Sequence, residues 1–126
     1  MESTFSVVNK TKGRHPDLPF AKMKEKVLGK SYNLSLVFSD DALSKKLNYE
    51  YRGKSKPANV LSFPLSKTEG EIFINPKQVR RDAPRFGRSY ESFFLFAFIH
   101  GLLHLKGLRH GSTMEKEERR YLSLFE

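Results

Sequence analysis

The sequence predicts an α+β domain in which a small mixed sheet of four strands packs with about five helices. Strand-like and helix-like segments are mixed, without the regular βαβ repeat that a parallel α/β fold requires. The helical segments gather in the second half of the chain. With 126 residues, 38% of them hydrophobic, the chain can form one core, so residues 1–126 are predicted to be a single domain.

The first third of the chain predicts two strands around one helix. Residues 5–8 are rich in apolar and β-branched side chains, which is typical of a strand. A helix is predicted after Pro16 and ends at Gly29, since glycine favours the turn that follows a helix. Its apolar face carries Leu18, Met23 and Val27. In residues 33–38 apolar side chains alternate with more polar ones, so a half-buried strand is predicted.

The next segment predicts a second helix. Ser39 or Asp40 can accept a hydrogen bond from the first free backbone amides and so cap its N-terminus. Apolar positions recur every four residues and define one predicted face, made of Leu43, Leu47 and Tyr51. The helix is expected to end near Gly53.

Two short apolar runs predict the remaining strands. Residues 60–63 form the third strand, which Pro64 is expected to end because proline cannot donate to a sheet ladder. Residues 71–74 form the fourth strand, and residues 64–70 are expected to join the two as a loop.

Three helices are predicted in the last part of the chain. Pro76 is a favourable first helical residue, and the helix it starts cannot run cleanly through Pro84. The segment 89–106 is apolar on nearly all sides, as expected for a helix buried in the middle of a domain. Ser112 and Glu115 resemble a capping box, which predicts a final helix towards the C-terminus.

Charge and composition favour a polyanionic partner and exclude several classes. The 23 basic and 14 acidic residues give a formal charge of +9, which suits nucleic acid. There is no cysteine, so a disulfide framework and thiolate metal sites are excluded, and a soft metal must be held by histidine. The first residues do not resemble a secretory leader and the longest apolar run is too short to cross a bilayer, so the cytoplasm is the expected location.

Three of the four histidines lie between positions 100 and 110. His100 and His104 are four residues apart on the predicted buried helix, so their imidazoles point to the same side, one turn apart. Gly107 can adopt the left-handed conformation that ends the helix and lets His110 approach from another direction. The spacing therefore predicts a metal site with three histidine ligands.

Three neutral imidazoles leave one position of a tetrahedral zinc ion open, which distinguishes a catalytic site from a structural one. Zinc lowers the pKa of bound water to about 7, so hydrolysis is the predicted reaction class. The histidine spacing also matches the metzincin protease motif, but Gly101 stands where those enzymes carry a catalytic glutamate. Peptide hydrolysis by the usual route is therefore not expected.

Three blocks of the sequence together resemble one family. They are LNYEYRGK at 47–54, NVLSFP at 59–64 leading to GEIFI at 70–74, and HGLLHLKGLRH at 100–110. In their order and spacing the chain resembles the YbeY endoribonucleases, bacterial proteins implicated in the maturation and quality control of ribosomal RNA. The resemblance covers most of the chain, and it implies a zincin-like α+β fold in which the zinc helix packs under a mixed sheet.

The resemblance also implies roles for individual residues. The family's ligands for one zinc ion per chain fall on His100, His104 and His110. Its functionally important arginine falls on Arg52, and a guanidinium can hold a phosphate through two hydrogen bonds. Candidate contacts to single-stranded RNA around the flanking strand are Lys54, Lys56 and Ser62.

The chain departs from the family pattern at two places. Arg109 stands immediately before the third histidine, where the family usually has aspartate, and Ala58-Asn59 replaces a usual Thr-Asp pair. A carboxylate that orients a ligand or relays a proton is therefore expected to be missing, and the general base is unassigned. Glu71 is an acidic candidate for the general base, although an ordinary surface carboxylate is the simpler explanation. His15 is predicted to be a loop residue.

Three functions remain open on the sequence. The first is a zinc-dependent endoribonuclease specific for single strands, acting on precursor ribosomal RNA or the small ribosomal subunit. Its further partners would be ribosomal proteins or a ribosome-associated GTPase. Neither DNA nor a membrane is an expected partner. The second is a non-catalytic RNA- or ribosome-binding factor with a structural zinc. The third is a zincin-type peptidase, against which Gly101 argues.

Overall fold

The computed structural model describes residues 4–126; residues 1–3, on which the expectation of no secretory leader partly rests, lie outside the described residues. Strands and helices alternate at first, and the last helices follow one another. The elements are β1 (Phe5–Asn9), α1 (Phe20–Leu28), β2 (Asn33–Phe38), α2 (Asp41–Arg52), β3 (Val60–Ser66), β4 (Glu69–Ile74), α3 (Pro76–Asp82), a 3₁₀ turn (Ala83–Phe86), α4 (Tyr90–Leu105) and α5 (Ser112–Phe125).

The four strands form one mixed sheet in the order β1-β2-β4-β3. β1 and β4 both run parallel to the central β2, and β3 pairs with β4 in the antiparallel direction. The central strands place Leu34, Leu36 and Ile72 in the core with no exposed surface. The α+β class, the mixed four-stranded sheet and the five helices are thus confirmed for the described part of the chain.

β3 is longer than predicted because it is an edge strand. The prediction that Pro64 ends the strand and opens a loop is wrong: the strand continues to Ser66 and pairs with β4, which begins at Glu69. Pro64 lies opposite Gly70, and a bulge follows it. Proline is tolerated here because an edge strand needs hydrogen bonds on one side only. The connection shrinks to the turn Lys67-Thr68.

The buried helix α4 lies against the sheet and forms the centre of the core. Ser89, the first residue of the predicted helix segment, caps it by accepting a hydrogen bond from the Ser92 amide at 3.1 Å. Phe94, Phe98 and Leu102 on this helix have no exposed surface, so the helix is enclosed by neighbours on most sides. Among residues 4–126 no helix is both long and apolar enough to span a membrane.

Three helix details differ from the sequence expectation. Leu18 lies before α1, which begins at Phe20, although it still packs on the core. The predicted capping box of α5 does not form, since the cap residue is Gly111 and no side chain caps the helix. The predicted apolar face of α2 is also wrong at Tyr51, whose side chain is 65% exposed.

α2 buries polar residues instead, and these hold the chain segment that leads into β3. The Ser44 hydroxyl donates to the Ala58 carbonyl at 2.8 Å and accepts from the Ala58 amide at 2.9 Å. The Asn48 side-chain amide donates to the Lys56 carbonyl at 2.8 Å. Hydrophobic periodicity missed this face because its contacts are hydrogen bonds to a loop. They fix the backbone on one side of the site described below.

Candidate metal centre

Three imidazoles converge at the C-terminal end of α4. His100 and His104 lie on its last turns, and His110 follows Gly107, whose φ of 105° turns the chain back as the sequence predicts. The ring centroids are 4.6 Å apart for the helical pair, and 5.1 and 5.0 Å from His110 to His100 and His104. One nitrogen from each ring lies within 4.8 Å of the others. The three residues predicted as ligands therefore lie together.

Both helical histidines have a contact on the ring nitrogen that faces away from the cluster. The Leu108 carbonyl lies 3.1 Å from His104 Nδ1, and since a carbonyl only accepts, Nδ1 donates and Nε2 is left unprotonated. His100 Nδ1 lies 3.4 Å from Glu118 Oε1. That contact is within ion-pair distance but outside hydrogen-bond geometry, so within residues 4–126 this buried nitrogen has no hydrogen-bond partner.

The electrostatics keep the helical histidines neutral. Burial, with smaller contributions from the neighbouring His104, His110 and Arg52, lowers the pKa of His100 to about 4. Burial also lowers the pKa of His104, with smaller contributions from His110 and Arg52, against the opposing effect of the Leu108 carbonyl. Neutral imidazole is the form that binds a metal, so both rings are competent ligands at neutral pH.

The donor set fits a metal ion. In a tetrahedral zinc site with Zn–N bonds of about 2.0–2.1 Å, ligand nitrogens lie about 3.4 Å apart. The Nε2 atoms of His100 and His104 are 3.1 Å apart. If His100 carries its proton on Nδ1, where Glu118 can accept it, the two Nε2 lone pairs face each other. A cation between the two Nε2 atoms would bind both lone pairs and leave His100 Nδ1 free to donate to Glu118.

Gly101 allows α4 to approach β3 closely. A Cβ atom at this position would lie 3.0 Å from Ser62 Oγ and 3.3 Å from Val60 Cγ2, which is tighter than ordinary contact. The Ser62 hydroxyl donates to the Gly101 carbonyl at 3.0 Å. Position 101 therefore faces the sheet, and a glutamate there would force β3 away from the helix.

A groove of about 1000 Å³ runs between α4 and β3 and contains the three histidines. Ser62 and Arg52 line it, and Arg52 also lines an adjoining pocket of about 280 Å³. Lys54 and Lys56 line that second pocket, so we call it the basic pocket. Within the described chain no acidic side chain lines the groove. The site thus combines neutral nitrogen ligands with free positive charge.

The two departures from the family pattern, Arg109 and Asn59, both line the groove but differ in their contacts. Arg109 is exposed, lines the groove beside His110 and adds positive charge there. Asn59 also lines the groove, and its side-chain amide donates to Asp82 Oδ2 at 3.0 Å. Asp82 lines the basic pocket and not the groove. The carboxylate missing at position 59 is therefore not replaced inside the groove.

The remaining candidates lie away from the metal centre. Glu71 lies within β4, opposite Phe63 on the neighbouring strand, and is not among the groove-lining residues. His15 lies in the loop before α1, where its ring stacks on Phe38 with centroids 4.3 Å apart. The prediction that His15 is a loop residue is confirmed.

The sequence analysis missed Glu118. Its side chain on α5 is buried, and burial raises its pKa, with a smaller contribution from Glu115. It contacts the ring nitrogen of His100 that points away from the cluster, which is the position of a carboxylate that orients a metal ligand. A signal was present in the sequence, because one face of α5 is otherwise apolar. The buried residues of that face are Met114, Glu118, Tyr121 and Leu122.

An α+β domain with a mixed four-stranded sheet and a cluster of three histidines that could hold a metal ion is the class that fold and site define together. The family model described as "Endoribonuclease YbeY" matches residues 14–124, and the chain belongs to this family. The resemblance drawn from the three sequence blocks is thereby confirmed.

Relatives and a solved structure agree with this assignment. The endoribonuclease YbeY of Rhizobium etli is 38% identical over 108 residues, covering 79% of this chain and 59% of that protein. That of Petrotoga mobilis is 36% identical over 94 residues, covering 72% of this chain and 65% of that protein. The solution structure of TM1509 from Thermotoga maritima has a TM-score of 0.64 and 25% identity, with 94% of this chain and 86% of that chain covered. The matched region spans about three-fifths of the length of the curated relatives.

Proposed function

We propose that this chain, acting as one domain over residues 1–126, is a zinc-dependent endoribonuclease that cleaves single-stranded RNA. The observation that carries the proposal is the convergence of three histidines in a groove that also contains the free guanidinium of Arg52. The relatives named as endoribonucleases support the same reaction class. The net charge of +9 supports a polyanionic substrate.

In this proposal His100, His104 and His110 hold one zinc ion. When bound, zinc acts as a Lewis acid on a phosphoryl oxygen and makes hydroxide available near neutral pH. Arg52 donates hydrogen bonds to the scissile phosphate and stabilises the charge that develops on it. Ser62 contributes to substrate binding from the groove wall, with its own proton engaged by Gly101. Lys54 and Lys56 bind the neighbouring phosphates in the basic pocket.

The proposed substrate is precursor ribosomal RNA or RNA of the small ribosomal subunit. Ribosomal proteins or a ribosome-associated GTPase are the proposed protein partners. The proposed setting is the cytoplasm, where bacterial ribosomal RNA is matured. DNA is not proposed as a substrate.

A second candidate is a non-catalytic RNA-binding factor in which the metal is structural. It is favoured by one observation, namely that within residues 4–126 no carboxylate lines the groove and could act as general base. A peptidase is disfavoured because Gly101 faces the sheet, where even a Cβ atom would crowd Ser62 and Val60.

The proposed function is tested by cleavage of a labelled single-stranded ribosomal RNA fragment. Zinc-loaded protein is compared with chelated protein, with Arg52→Ala and with His104→Ala. Cleavage should require the metal, be lost in His104→Ala and fall by about 10² in Arg52→Ala, because one donor to a developing charge is worth that much.

Arg119→Ala is the matched control, since Arg119 is an exposed arginine on α5 that does not line the groove. A DNA strand of the same sequence should remain intact. Tight RNA binding without cleavage by the zinc-loaded protein would favour the non-catalytic factor. Cleavage of casein and none of RNA would bring back the peptidase.

A further inference from the structure

A row of aromatic rings leads from the metal centre to one end of the groove. Phe96 stacks on His100 with centroids 5.9 Å apart. Phe93 stacks on Phe96 at 5.8 Å with an interplanar angle of 12°. Phe86 stacks on Phe93 at 4.9 Å with an angle of 16°. The interplanar angle is 27° between His100 and Phe96 and smaller for the two outer pairs, so the rings form an offset, roughly parallel row from the metal centre outwards.

Phe86 ends this row and is open to solvent. Its side chain is 60% exposed, whereas Phe93 beneath it is 2% exposed. A single exposed phenylalanine is ordinary on a protein surface. This one lines the same groove as His100 and Arg52, and one face of its ring is held by Phe93. Its outward face therefore offers a fixed aromatic plane in the wall of the groove.

The residue before Phe86 adds a positive charge to the same turn. The Arg85 side chain is 77% exposed and lines the basic pocket together with Arg52, Lys54 and Lys56. Its one ion-pair partner in the described chain is Asp82, at 3.6 Å. The 3₁₀ turn Ala83–Phe86 thus presents an aromatic ring to the groove and a guanidinium to the basic pocket.

We propose that this turn is a nucleotide-binding subsite for single-stranded RNA beside the metal centre. Phe86 stacks one unpaired base and Arg85 binds the adjoining phosphate. A positively charged groove combined with an aromatic stacking platform is the arrangement by which proteins bind single strands without strong sequence preference. A base inside a duplex is stacked between its neighbours and offers no free face to the ring, so the subsite discriminates against duplexes. That the ligand is RNA rests on the proposed function.

The test measures binding separately from cleavage. Zinc-loaded protein is titrated into a fluorescent 2′-O-methyl RNA oligonucleotide, with a gel check that the strand remains intact. Phe86→Leu should weaken binding about ten-fold, as loss of a stacking ring does, whereas Phe86→Tyr should retain the affinity. Arg85→Ala should weaken binding and lower the slope of log affinity against log salt by about one.

Matched controls come from the same molecule. Tyr49 is an exposed aromatic residue on α2, 62% exposed, that does not line the groove, so Tyr49→Leu should bind as wild type does. Arg119→Ala controls for the loss of one exposed arginine. Thermal unfolding of each variant shows that the fold is retained.

An RNA with one abasic nucleotide, moved along the strand, sharpens the test. Wild-type protein should lose affinity at one position, and Phe86→Leu should show no further loss there, since the two changes remove the same contact. Equal affinity of Phe86→Leu and Tyr49→Leu for intact RNA would overturn the subsite while leaving the nuclease proposal standing. If Phe86→Leu bound RNA as wild type does but no longer associated with other copies of the chain, the ring would be assigned to a protein–protein contact instead. Failure of the wild type to bind RNA would overturn both proposals.

Discussion

The two walls of the groove are built in different ways. We call the side formed by α4, residues 106–111 and α5 the metal wall. Two of its three histidines lie on α4, a helix enclosed by apolar packing, and both of these have contacts behind the ring. His104 bonds the Leu108 carbonyl, and His100 lies against Glu118. The direction of each helical imidazole is therefore set from inside the protein.

The opposite side, formed by the end of α2, residues 53–59 and β3, we call the basic wall; it borders both the groove and the basic pocket. Its backbone is held by the buried polar side chains of Ser44 and Asn48. Its charged side chains are not held. Arg52 is exposed, and within residues 4–126 its guanidinium makes no hydrogen bond or ion pair. The main chain is fixed here while the cations remain free.

This difference suits two kinds of ligand. A metal ion needs ligands held close to one geometry, which rigid packing and supporting contacts supply. A flexible polyanion is bound largely by charge, so long side chains can adapt to it once their backbone is fixed. Changes in the metal wall should therefore alter metal affinity, and changes in the basic wall should alter stability and RNA binding.

The largest effect is expected at Glu118 in the metal wall. Glu118→Gln should weaken zinc binding about 10- to 100-fold, since an acceptor that orients a ligand is weakened. Because burial raises the pKa of Glu118, ionising it costs free energy, so the metal-free variant should be at least as stable as wild type. Competition with a chelator measures the first quantity and urea unfolding of metal-free protein the second.

The control for this experiment is Glu117→Gln, which removes a neighbouring carboxylate that pairs with Arg120 and not with a histidine. It should leave zinc affinity unchanged. If Glu118→Gln and Glu117→Gln bound zinc equally well, Glu118 would have no orienting role. In that case the side chains of the metal wall would be no more firmly held in place than those of the basic wall.

A smaller effect is expected at Ser44 in the basic wall. Ser44→Ala removes both hydrogen bonds to Ala58 and should lower the free energy of unfolding by about 2 kcal/mol, at about 1 kcal/mol each. RNA affinity should fall as well, because the segment carrying Lys54 and Lys56 loosens, while zinc affinity is retained. Chemical unfolding and RNA titration measure the two effects.

Ser112→Ala is the matched control, since Ser112 is exposed and caps no helix with its side chain. It should change neither stability nor RNA binding appreciably. A loss of zinc affinity in Ser44→Ala equal to its loss of RNA affinity would contradict the independence of the two walls.

The smallest effect is expected at Asp41, which ties the start of α2 to α3. Hydrogen bonds from Arg81 and Asn75 lower the pKa of Asp41 to about 2 from 3.8. A depressed carboxyl pKa stabilises the fold above the unfolded value, and this contribution is lost as the pH falls from about 4 towards 2. The Arg81 and Asp41 side chains are 50% and 37% exposed, so at neutral pH the pair contributes less than about 1 kcal/mol.

Urea unfolding of wild type and Asp41→Asn between pH 5 and pH 2.5 measures this contribution. The difference in unfolding free energy should shrink as the pH falls. Asp17→Asn, in the exposed loop before α1, controls for the loss of one negative charge. A difference that stays constant with pH would mean that the ion pair does not anchor the basic wall.

Much of the metal wall could be predicted from the sequence because its signals are local. The run of apolar residues after Ser89 predicts α4. The four-residue spacing of His100 and His104, followed by Gly107, predicts convergence, since helix geometry and a glycine turn are properties of adjacent residues. The strands and most helix ends were found in the same way.

What the sequence missed depends on contacts between distant segments. Glu118 meets His100 because α5 folds back against α4, and Phe86 lines the same groove as Arg52 although they are far apart in the chain. Pro64 stays within β3 because that strand lies at the sheet edge. The polar face of α2 is buried only because a loop supplies its hydrogen-bond partners.

By itself, therefore, the sequence determined the elements, the three-histidine cluster and the positive charge, since these follow from spacing and composition within short segments. The tertiary structure alone decided which side chains meet across the groove. The supporting carboxylate, the close approach at Gly101 and the aromatic row ending at Phe86 all come from the packing of α4 against β3, α5 and the 3₁₀ turn. Packing between elements depends on the shapes of all the partners at once, which no local pattern records.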